Sequence, residues 1–179
     1  MTEKKIVFFC ASSYSIDPKF NQAARDIVRA ACLCGYTIVS GGAIKGTMGA
    51  IADETARCGG KHIGILPRFM KDFQHPGLTE TVWTDTMAER KEKMREGTCA
   101  AIALPGGIGT LDELIETLTL AKLDKYQGKI FAFNYFGFFN PLIELLAYYE
   151  KTGMLDERSR ALIEFPDTEE ELIGHFINR

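Results

Sequence analysis

The stretch CAAIALPGGIGTLDELIE, residues 99–116, decides the fold of this chain. Its first six residues form an almost wholly apolar run, which is typical of a strand buried on both faces. The glycine-rich turn PGGIGT (105–110) follows, and the next segment predicts a helix from residue 110 to about residue 123. The apolar residues of that helix recur at i, i+3, i+4 and i+7: Leu111, Leu114, Ile115 and Leu118. A buried strand that leads through a turn into a helix is the repeating unit of parallel α/β sheets.

The rest of the chain repeats this alternation of strand and helix. Strands are predicted at 5–11, 37–40, 62–66, 81–84 and 129–134, and further helices at 20–34, 47–58, 87–97, 140–151 and 168–177. Residues 67–79 contain Pro67, Pro76 and Gly77 and are predicted to form a loop. The pattern predicts an α/β fold with a three-layer, doubly wound parallel sheet of the Rossmann-like kind. We expect residues 1–179 to form one domain.

Composition excludes several classes of function. The 179 residues are 46 % hydrophobic and 25 % charged, which is ordinary for a globular protein, and the formal net charge is -3. A slightly acidic chain gives no support to a nucleic-acid partner or an anionic membrane surface. No apolar run approaches the ~20 residues that span a bilayer. The segment MTEKKIVFFC lacks the cleavage site of a signal peptide and is interpreted as leading into the first strand.

The cysteines and histidines predict neither disulfides nor a metal site. The five cysteines are an odd number, and none has the two-residue spacer of a zinc or redox pair. We therefore expect reduced core thiols in a cytoplasmic protein. His62, His75 and His175 are scattered without ligand spacing, so no metal is expected.

Two strand-to-helix junctions are rich in glycine, SGGAIKGTMG (40–49) and PGGIGT (105–110). Helix N-termini at the carboxyl ends of parallel strands offer free N–H groups and partial positive charge to an anion. We therefore expect a phosphate-bearing ligand. The first strand is followed by CASSYS rather than G-x-G-x-x-G, and Thr47 stands where a P-loop has lysine. The sequence therefore does not support a dinucleotide or ATP as the ligand. A mononucleotide or a sugar phosphate remains as the expected ligand.

The acidic residues after the second glycine loop leave two interpretations open. The segment TLDE (110–113) fits a capping box, with Glu116 on a solvated face. However, a phosphate and carboxylates at one helix end repel each other unless a cation or the reaction uses the charge. Arg90 and Lys91 are the candidate cations, but their segment MAERKEKMREG (87–97) also fits a plain surface helix with i,i+4 ion pairs.

Four segments together resemble a known family. PGGIGTLDE matches the motif P-G-G-x-G-T-x-x-E, and MAERKEKM matches M-x-x-R-K-x-x-M. SGGAIKGTMGAIAD and FNYFGFFNPLIELL resemble two further segments of that family, and the order of all four is the same. Over most of residues 5–175 the chain is similar to the Lonely Guy family of cytokinin-activating phosphoribohydrolases, also labelled "possible lysine decarboxylase". No sequence context for a pyridoxal-phosphate lysine supports the decarboxylase label.

The resemblance implies hydrolysis of the N-glycosidic bond of a purine riboside 5'-monophosphate, either AMP or a cytokinin ribotide. The products are ribose 5-phosphate and adenine or an N6-substituted adenine, and no cofactor is implied. The resemblance also implies a homodimer with each site at or near the subunit contact. Non-catalytic binding of molybdenum cofactor or DNA, and phosphotransfer, are the alternatives. Arg90 and Glu113 favour the hydrolase, and the missing Walker lysine argues against phosphotransfer.

The motifs also assign roles to individual residues. Arg90 and Glu113 take the catalytic positions. Glu113 would stabilise positive charge on the sugar or activate water, and Arg90 would either hold Glu113 ionised and orient it or bind the substrate directly. Lys91 and Glu116 are secondary binding candidates, and Ser12 and Ser13 fit either the cleft or a plain turn. The expected phosphate ligands are the glycine loops with one threonine: Gly41, Gly42, Gly106, Gly107, Gly109 and Thr110.

Departures from the family pattern leave base recognition and the dimer contact open. Ala88 replaces a common histidine, Tyr14 a glycine and Thr47 a leucine. The segment KLDKY (122–126) replaces Gln-Leu-Gly-x-His, and Asp72 or Gln74 stands nearest to a usual glutamate. None of these positions is a fixed residue of the two motifs that carry catalysis.

Overall fold

The computed structural model describes residues 4–177, with side chains to residue 175. Within that range it contains seven strands: β1 Lys5–Phe9, β2 Thr37–Ser40, β3 His62–Pro67, β4 Glu80–Thr84, β5 Thr98–Ala103, β6 Lys129–Ala132 and β7 Ile163–Glu164. The α-helices are α1 Pro18–Leu33, α2 Gly46–Arg57, α3 Met87–Arg95, α4 Ile108–Lys122, α5 Asn140–Lys151, α6 Glu157–Arg160 and α7 Glu169–Ile177. Two 3₁₀ helices cover Arg68–Phe73 and Tyr135–Gly137.

The strands form one parallel sheet in the order β4-β3-β2-β1-β5-β6-β7. The chain builds outward from β1 to β4, and then crosses back to place β5 on the other side of β1. The strand order therefore reverses between β1 and β5, where open α/β sheets form their ligand crevice. The predicted parallel α/β sheet is confirmed.

Two hydrophobic cores lie on opposite faces of the sheet, because successive strand residues point to opposite sides. Ile6 and Phe8 of β1 belong to the core that includes Ile27 of α1 and residues of α2 and α7. Val7 and Phe9 belong to the other core, with Leu114 of α4 and residues of α3 and α5. Helices on both faces complete the three layers that the apolar strands predicted.

Some boundaries differ from the prediction. Helix α1 begins at Pro18 and not at residue 20, because proline suits the first turn of a helix. Asp17 caps it, with Oδ1 accepting the N–H of Lys19 at 3.0 Å. The loop predicted at 67–79 contains the 3₁₀ helix Arg68–Phe73. Strand β7 has two residues and helix α6 has four, which is too short for a periodic signal.

The expectation of core thiols is wrong for part of the set. The five cysteines, all among the described residues, form no disulfide. Cys10 is buried, but Cys34 and Cys99 are exposed. Among residues 4–177 there is no cluster of three or more His, Cys, Asp or Glu arranged to hold a metal ion. None of the helices in that range combines the length and apolarity needed to cross a bilayer.

Candidate active site

A cleft of about 350 Å³ opens at the carboxyl ends of β1 and β5, where the strand order reverses. It is lined by Cys10, Ala11, Ser12 and Ser13 after β1, by Ala43 and Met48 after β2, by Met70, Met87 and Arg90, and by Gly107, Ile108, Gly109, Thr110 and Glu113 after β5. The fold thus brings together segments that are far apart in the sequence. The lining of the cleft includes both residues that were predicted to be catalytic, Arg90 and Glu113.

Arg90 and Glu113 form a buried ion pair at the edge of this cleft. Each is 6 % exposed, and Arg90 Nη1 donates to Glu113 Oε1 at 3.0 Å. Arg90 Nε also donates to the carbonyl oxygen of Ile65 in β3, at 3.0 Å. One guanidinium therefore joins α3 to the sheet and to α4, and fixes the orientation of the carboxylate.

Gly41 leaves the space that the Arg90 guanidinium occupies. A Cβ atom at Gly41 would lie 1.9 Å from Arg90 Nη2. Gly42 has a φ of 69°, its N–H donates to Ser40 Oγ at 3.1 Å, and its carbonyl accepts the N–H of His75 at 2.9 Å. Neither glycine lines the cleft, and their part in holding phosphate stays a prediction.

The second glycine loop does border the cleft. Helix α4 begins at Ile108, so its first N–H groups lack partners within the helix and are available to an anion. Gly107 and Gly109 line the cleft, and Gly106 makes room for Thr110, since a Cβ there would lie 2.2 Å from Thr110 Oγ1. That hydroxyl is buried in the wall of the cleft and has no hydrogen-bond partner among the described residues.

The capping-box interpretation of TLDE (110–113) is wrong. The N-cap is Gly107, and it makes no side-chain capping bond. Glu113 does not fold back onto a cap, because its Oε1 accepts from Arg90. A reciprocal cap is found on α3 instead, where Thr86 Oγ1 accepts the N–H of Glu89 at 3.1 Å and Glu89 Oε2 accepts the N–H of Asp85 at 2.8 Å.

The surroundings of the Glu113 carboxyl shift its pKa. Burial raises the pKa of Glu113 to about 7, and the adjacent Arg90 guanidinium opposes this only in part. Burial likewise raises the pKa of the Cys10 thiol at the floor of the cleft, so Cys10 stays neutral. The cleft therefore holds an acid that can exchange its proton near neutral pH, beside a fixed positive charge.

Known proteins are similar to this chain over most of its length. The family model described as "Possible lysine decarboxylase" matches residues 48–176. A cytokinin riboside 5'-monophosphate phosphoribohydrolase of Arabidopsis thaliana is 31 % identical over 172 residues, 94 % of this chain and 80 % of that protein. One of Rhodococcoides fascians is 30 % identical over 165 residues, 90 % of this chain and 83 % of that protein. The chain belongs to the Lonely Guy family.

Solved structures share the fold of this Lonely Guy family member at lower identity. The molybdenum cofactor binding protein of Rippkaea orientalis superposes with a TM-score of 0.74 at 19 % identity, covering 98 % of this chain and 96 % of that one. The molybdenum cofactor carrier protein of Chlamydomonas reinhardtii gives 0.73 at 16 % identity, with 97 % and 95 % covered. At this identity the likeness shows a common fold only.

Two predicted binding residues of this Lonely Guy protein lie outside the cleft lining. Lys91 Nζ contacts Asp112 Oδ2 at 2.9 Å and Glu116 Oε2 at 2.6 Å, and Arg95 Nη2 contacts Glu116 Oε1 at 3.1 Å. Lys91 and Glu116 are therefore bound to each other between α3 and α4. The plain surface-helix interpretation of α3 is also wrong, because Arg90, Met94 and Arg95 are buried.

The apolar lining of the cleft was missed by sequence reasoning. Thioether and aliphatic surface is contributed to it by Met48, Met70, Met87 and Ile108. The predicted site residues, by contrast, are charged residues, glycines, serines and a threonine. Met48 and Met87 belong to the quoted Lonely Guy motifs, so those motifs contained the signal. Met70 comes from the 3₁₀ helix within the predicted loop, and no pattern identified it.

Proposed function

We propose that this protein hydrolyses the N-glycosidic bond of purine riboside 5'-monophosphates, AMP or N6-substituted AMP, to free base and ribose 5-phosphate. The observation that carries the proposal is the buried Arg90–Glu113 pair, which opens onto the cleft beside the first turn of α4. Supporting it, the named relatives are phosphoribohydrolases of cytokinin riboside 5'-monophosphates.

In this proposal the phosphate and the sugar use different parts of the cleft. The 5'-phosphate binds to the free N–H groups at the start of α4 and to the Thr110 hydroxyl. As the C1'–N bond breaks, positive charge develops on the ribose, and the ionised Glu113 stabilises that charge. Glu113 takes a proton from the attacking water, whose oxygen bonds to C1'. The departing base takes a proton from solvent, and Glu113 then returns its proton to solvent. Arg90 orients the Glu113 carboxylate and favours its ionised form.

The reaction assigned to Glu113 has a pH signature. Because Glu113 acts as a carboxylate and burial raises its pKa to about 7, activity rises with pH through neutrality and then levels off. Below the pKa, kcat/KM falls about tenfold for each pH unit. The pH profile of kcat/KM for AMP measures this directly, and a profile that is flat from about pH 5 to pH 8 would remove Glu113 from this role.

The homodimer and the cytoplasmic location belong to the same proposal. Exposed apolar side chains run along α4 and the start of α5, which supports burial against a second copy: Ile108, Leu111, Ile115, Phe138 and Leu145. Light scattering coupled to size exclusion measures the assembly. The free thiols fit a reducing compartment. The reaction as proposed needs no cofactor.

Incubation with AMP and with N6-isopentenyl-AMP, followed by chromatography for free base, tests the proposal. We expect Glu113→Gln and Arg90→Ala to lower base release by about a thousandfold or more, because each removes charge needed in the transition state. Glu96→Gln and Lys93→Met, which break an exposed ion pair on α3, are the matched controls and retain activity.

Three outcomes separate the alternatives. Release of base by the wild type but not by Glu113→Gln supports the hydrolase. Tight binding of the nucleotides with no release of base would favour a non-catalytic binding protein of this fold. Near-full activity in Glu113→Gln would leave the fold assignment standing and refute the mechanism.

A further inference from the structure

Four charged side chains form a ladder between α3 and α4, next to the Arg90–Glu113 pair. Lys91 Nζ lies 3.1 and 2.9 Å from the two carboxylate oxygens of Asp112, and 2.6 Å from Glu116 Oε2. Arg95 Nη2 lies 3.1 Å from Glu116 Oε1. The two cations are one helical turn apart on α3, and the two carboxylates are one turn apart on α4.

The two cations of the ladder are largely buried, whereas the side chain of Asp112 is 56 % exposed. The side chains of Lys91 and Arg95 are 16 % and 8 % exposed. The hydrogen bonds that Lys91 donates to the two carboxylates raise its pKa, the one to Glu116 most. Burial opposes ionisation of Glu116, but hydrogen bonds from Lys91 and Arg95 outweigh it and hold its pKa below its usual value. Lys91 and Glu116 are therefore both charged at neutral pH.

The position of Glu113 depends on how α4 lies against α3. Arg90 is fixed from the sheet side, because its Nε is bonded to Ile65 and its Nη2 fills the space above Gly41. Glu113 reaches this fixed guanidinium from the other helix. Any sliding or separation of the two helices would lengthen that 3.0 Å contact. The ladder joins the same two helices at residues adjacent to this pair.

We propose that Lys91, Arg95, Asp112 and Glu116 are positioning residues, which lock α4 onto α3 and set both the place and the charge of Glu113. This inference rests on the proposed function, since it concerns the same reacting carboxylate. It differs from the assignment of Lys91 and Glu116 as substrate ligands, because they act through Glu113 and do not touch the nucleotide.

Two residues of the ladder, Lys91 and Asp112, shift the pKa of Glu113 in opposite directions. From α3, Arg90 and Lys91 lower the pKa of Glu113, and Arg90 has the larger effect. From α4, Asp112 raises it, and the Cys10 thiol, which directly follows β1, is neutral. Removing the charge of Lys91 therefore raises the pKa of Glu113, and removing the charge of Asp112 lowers it. A variant that merely loosens the helices would not produce shifts of opposite sign.

The first measurement needs no substrate. Protein labelled with carbon-13 at the glutamate carboxyls is titrated by NMR, and the Glu113 signal is assigned by its absence in Glu113→Gln. We expect Lys91→Met to move the Glu113 midpoint up, and Asp112→Asn to move it down, each by on the order of half a pH unit. Lys91→Arg keeps the charge and leaves the midpoint near that of the wild type, as does the matched control Lys93→Met.

The second measurement separates positioning from substrate binding. We expect Lys91→Met and Glu116→Gln to lower kcat for AMP about ten- to a hundredfold while KM changes less than about threefold, because a displaced catalytic group costs turnover. Lys91→Arg restores most of kcat. Circular dichroism shows whether each variant is folded, and the isosteric Asp112→Asn tests the idea even where Lys91→Met does not fold.

Unchanged Glu113 midpoints in Lys91→Met and Asp112→Asn, or shifts of the same sign, would overturn the proposal. A rise in KM with kcat unchanged in Lys91→Met would also overturn it, and would make Lys91 a substrate ligand. Opposite shifts in a protein that releases no base would refute the proposed function and leave the electrostatic ladder in place.

Discussion

Gly41→Ala tests whether the buried position of Arg90 is essential. The added Cβ would lie 1.9 Å from Arg90 Nη2, whereas ordinary van der Waals contact begins at about 3.4 Å. The guanidinium must therefore move by about 1.5 Å, the difference between these distances. Met48 Sδ and Cε are 3.0 Å away and belong to a flexible side chain that can shift more easily.

A displacement of this size breaks both bonds that hold Arg90. The contacts to Glu113 Oε1 and to the Ile65 carbonyl are each 3.0 Å, and they would lengthen beyond hydrogen-bond range. Breaking a buried ion pair costs about 3–5 kcal/mol. For a chain of this size we expect Tm to fall by about 10 °C. We expect kcat/KM for AMP to fall about a hundredfold or more, because the carboxylate loses its fixed partner.

Thermal unfolding and steady-state release of adenine measure the two effects in the same preparations. Gly174→Ala is the matched control, since a Cβ there meets nothing within 4 Å and the residue lies in helix α7, so Tm stays level or rises.

A double-mutant cycle isolates the clash. Lysine at position 90 has no Nη2, so Gly41→Ala in an Arg90→Lys background should cost less than about 1 kcal/mol. The reasoning is refuted if Gly41→Ala keeps wild-type Tm and activity. It is refuted equally if the substitution costs the same free energy in both backgrounds.

Two further predictions concern a buried hydroxyl and a buried acid. Thr110→Val removes a hydroxyl without a partner among the described residues, so we expect Tm to stay level or rise while KM for AMP increases about tenfold or more. An unchanged KM would exclude Thr110 as a phosphate ligand. Arg57, with Arg29, lowers the pKa of the buried Glu54 from 4.5 to about 2. The stability from Glu54 is therefore present above pH 4.5 and is lost as pH falls toward 2. Glu54→Gln should flatten Tm between these pH values, and an unchanged acid dependence would contradict this.

The elements with long or wholly apolar signals could be predicted from the sequence, and the short ones could not. The apolar strand before PGGIGT and the amphipathic helix α4 were placed within a few residues. Strand β7 consists of two residues that pair with β6. It is a strand because of this pairing, and its own sequence carries no strand signal. The sheet order follows from the crossover after β4, which local patterns do not encode.

For the site, the sequence identified the residue types and the candidate pair Arg90–Glu113, but not the other contacts. The segment TLDE satisfied a capping pattern, yet Glu113 is paired with Arg90, because a buried guanidinium outweighs a local cap. Lys91 and Glu116 were grouped with the ligands because a helical sequence does not show which charges face a neighbouring helix. The role of Gly41 as space for Arg90 depends on a contact between distant segments, so no local spacing indicates it.

The dependence of Gly41, Arg90 and Glu113 on one another argues for function rather than stability. Without Gly41, the guanidinium of Arg90 has no room. Without Arg90, Glu113 is a buried carboxylate with no cation in contact, which is the costliest arrangement for an acid. A buried ion pair is a weak way to stabilise a fold, since apolar side chains of similar volume often do as well or better. This pair lies at a cleft, beside the start of a helix, where its charges can act on a ligand. Its position therefore fits a role in function better than a role in stability.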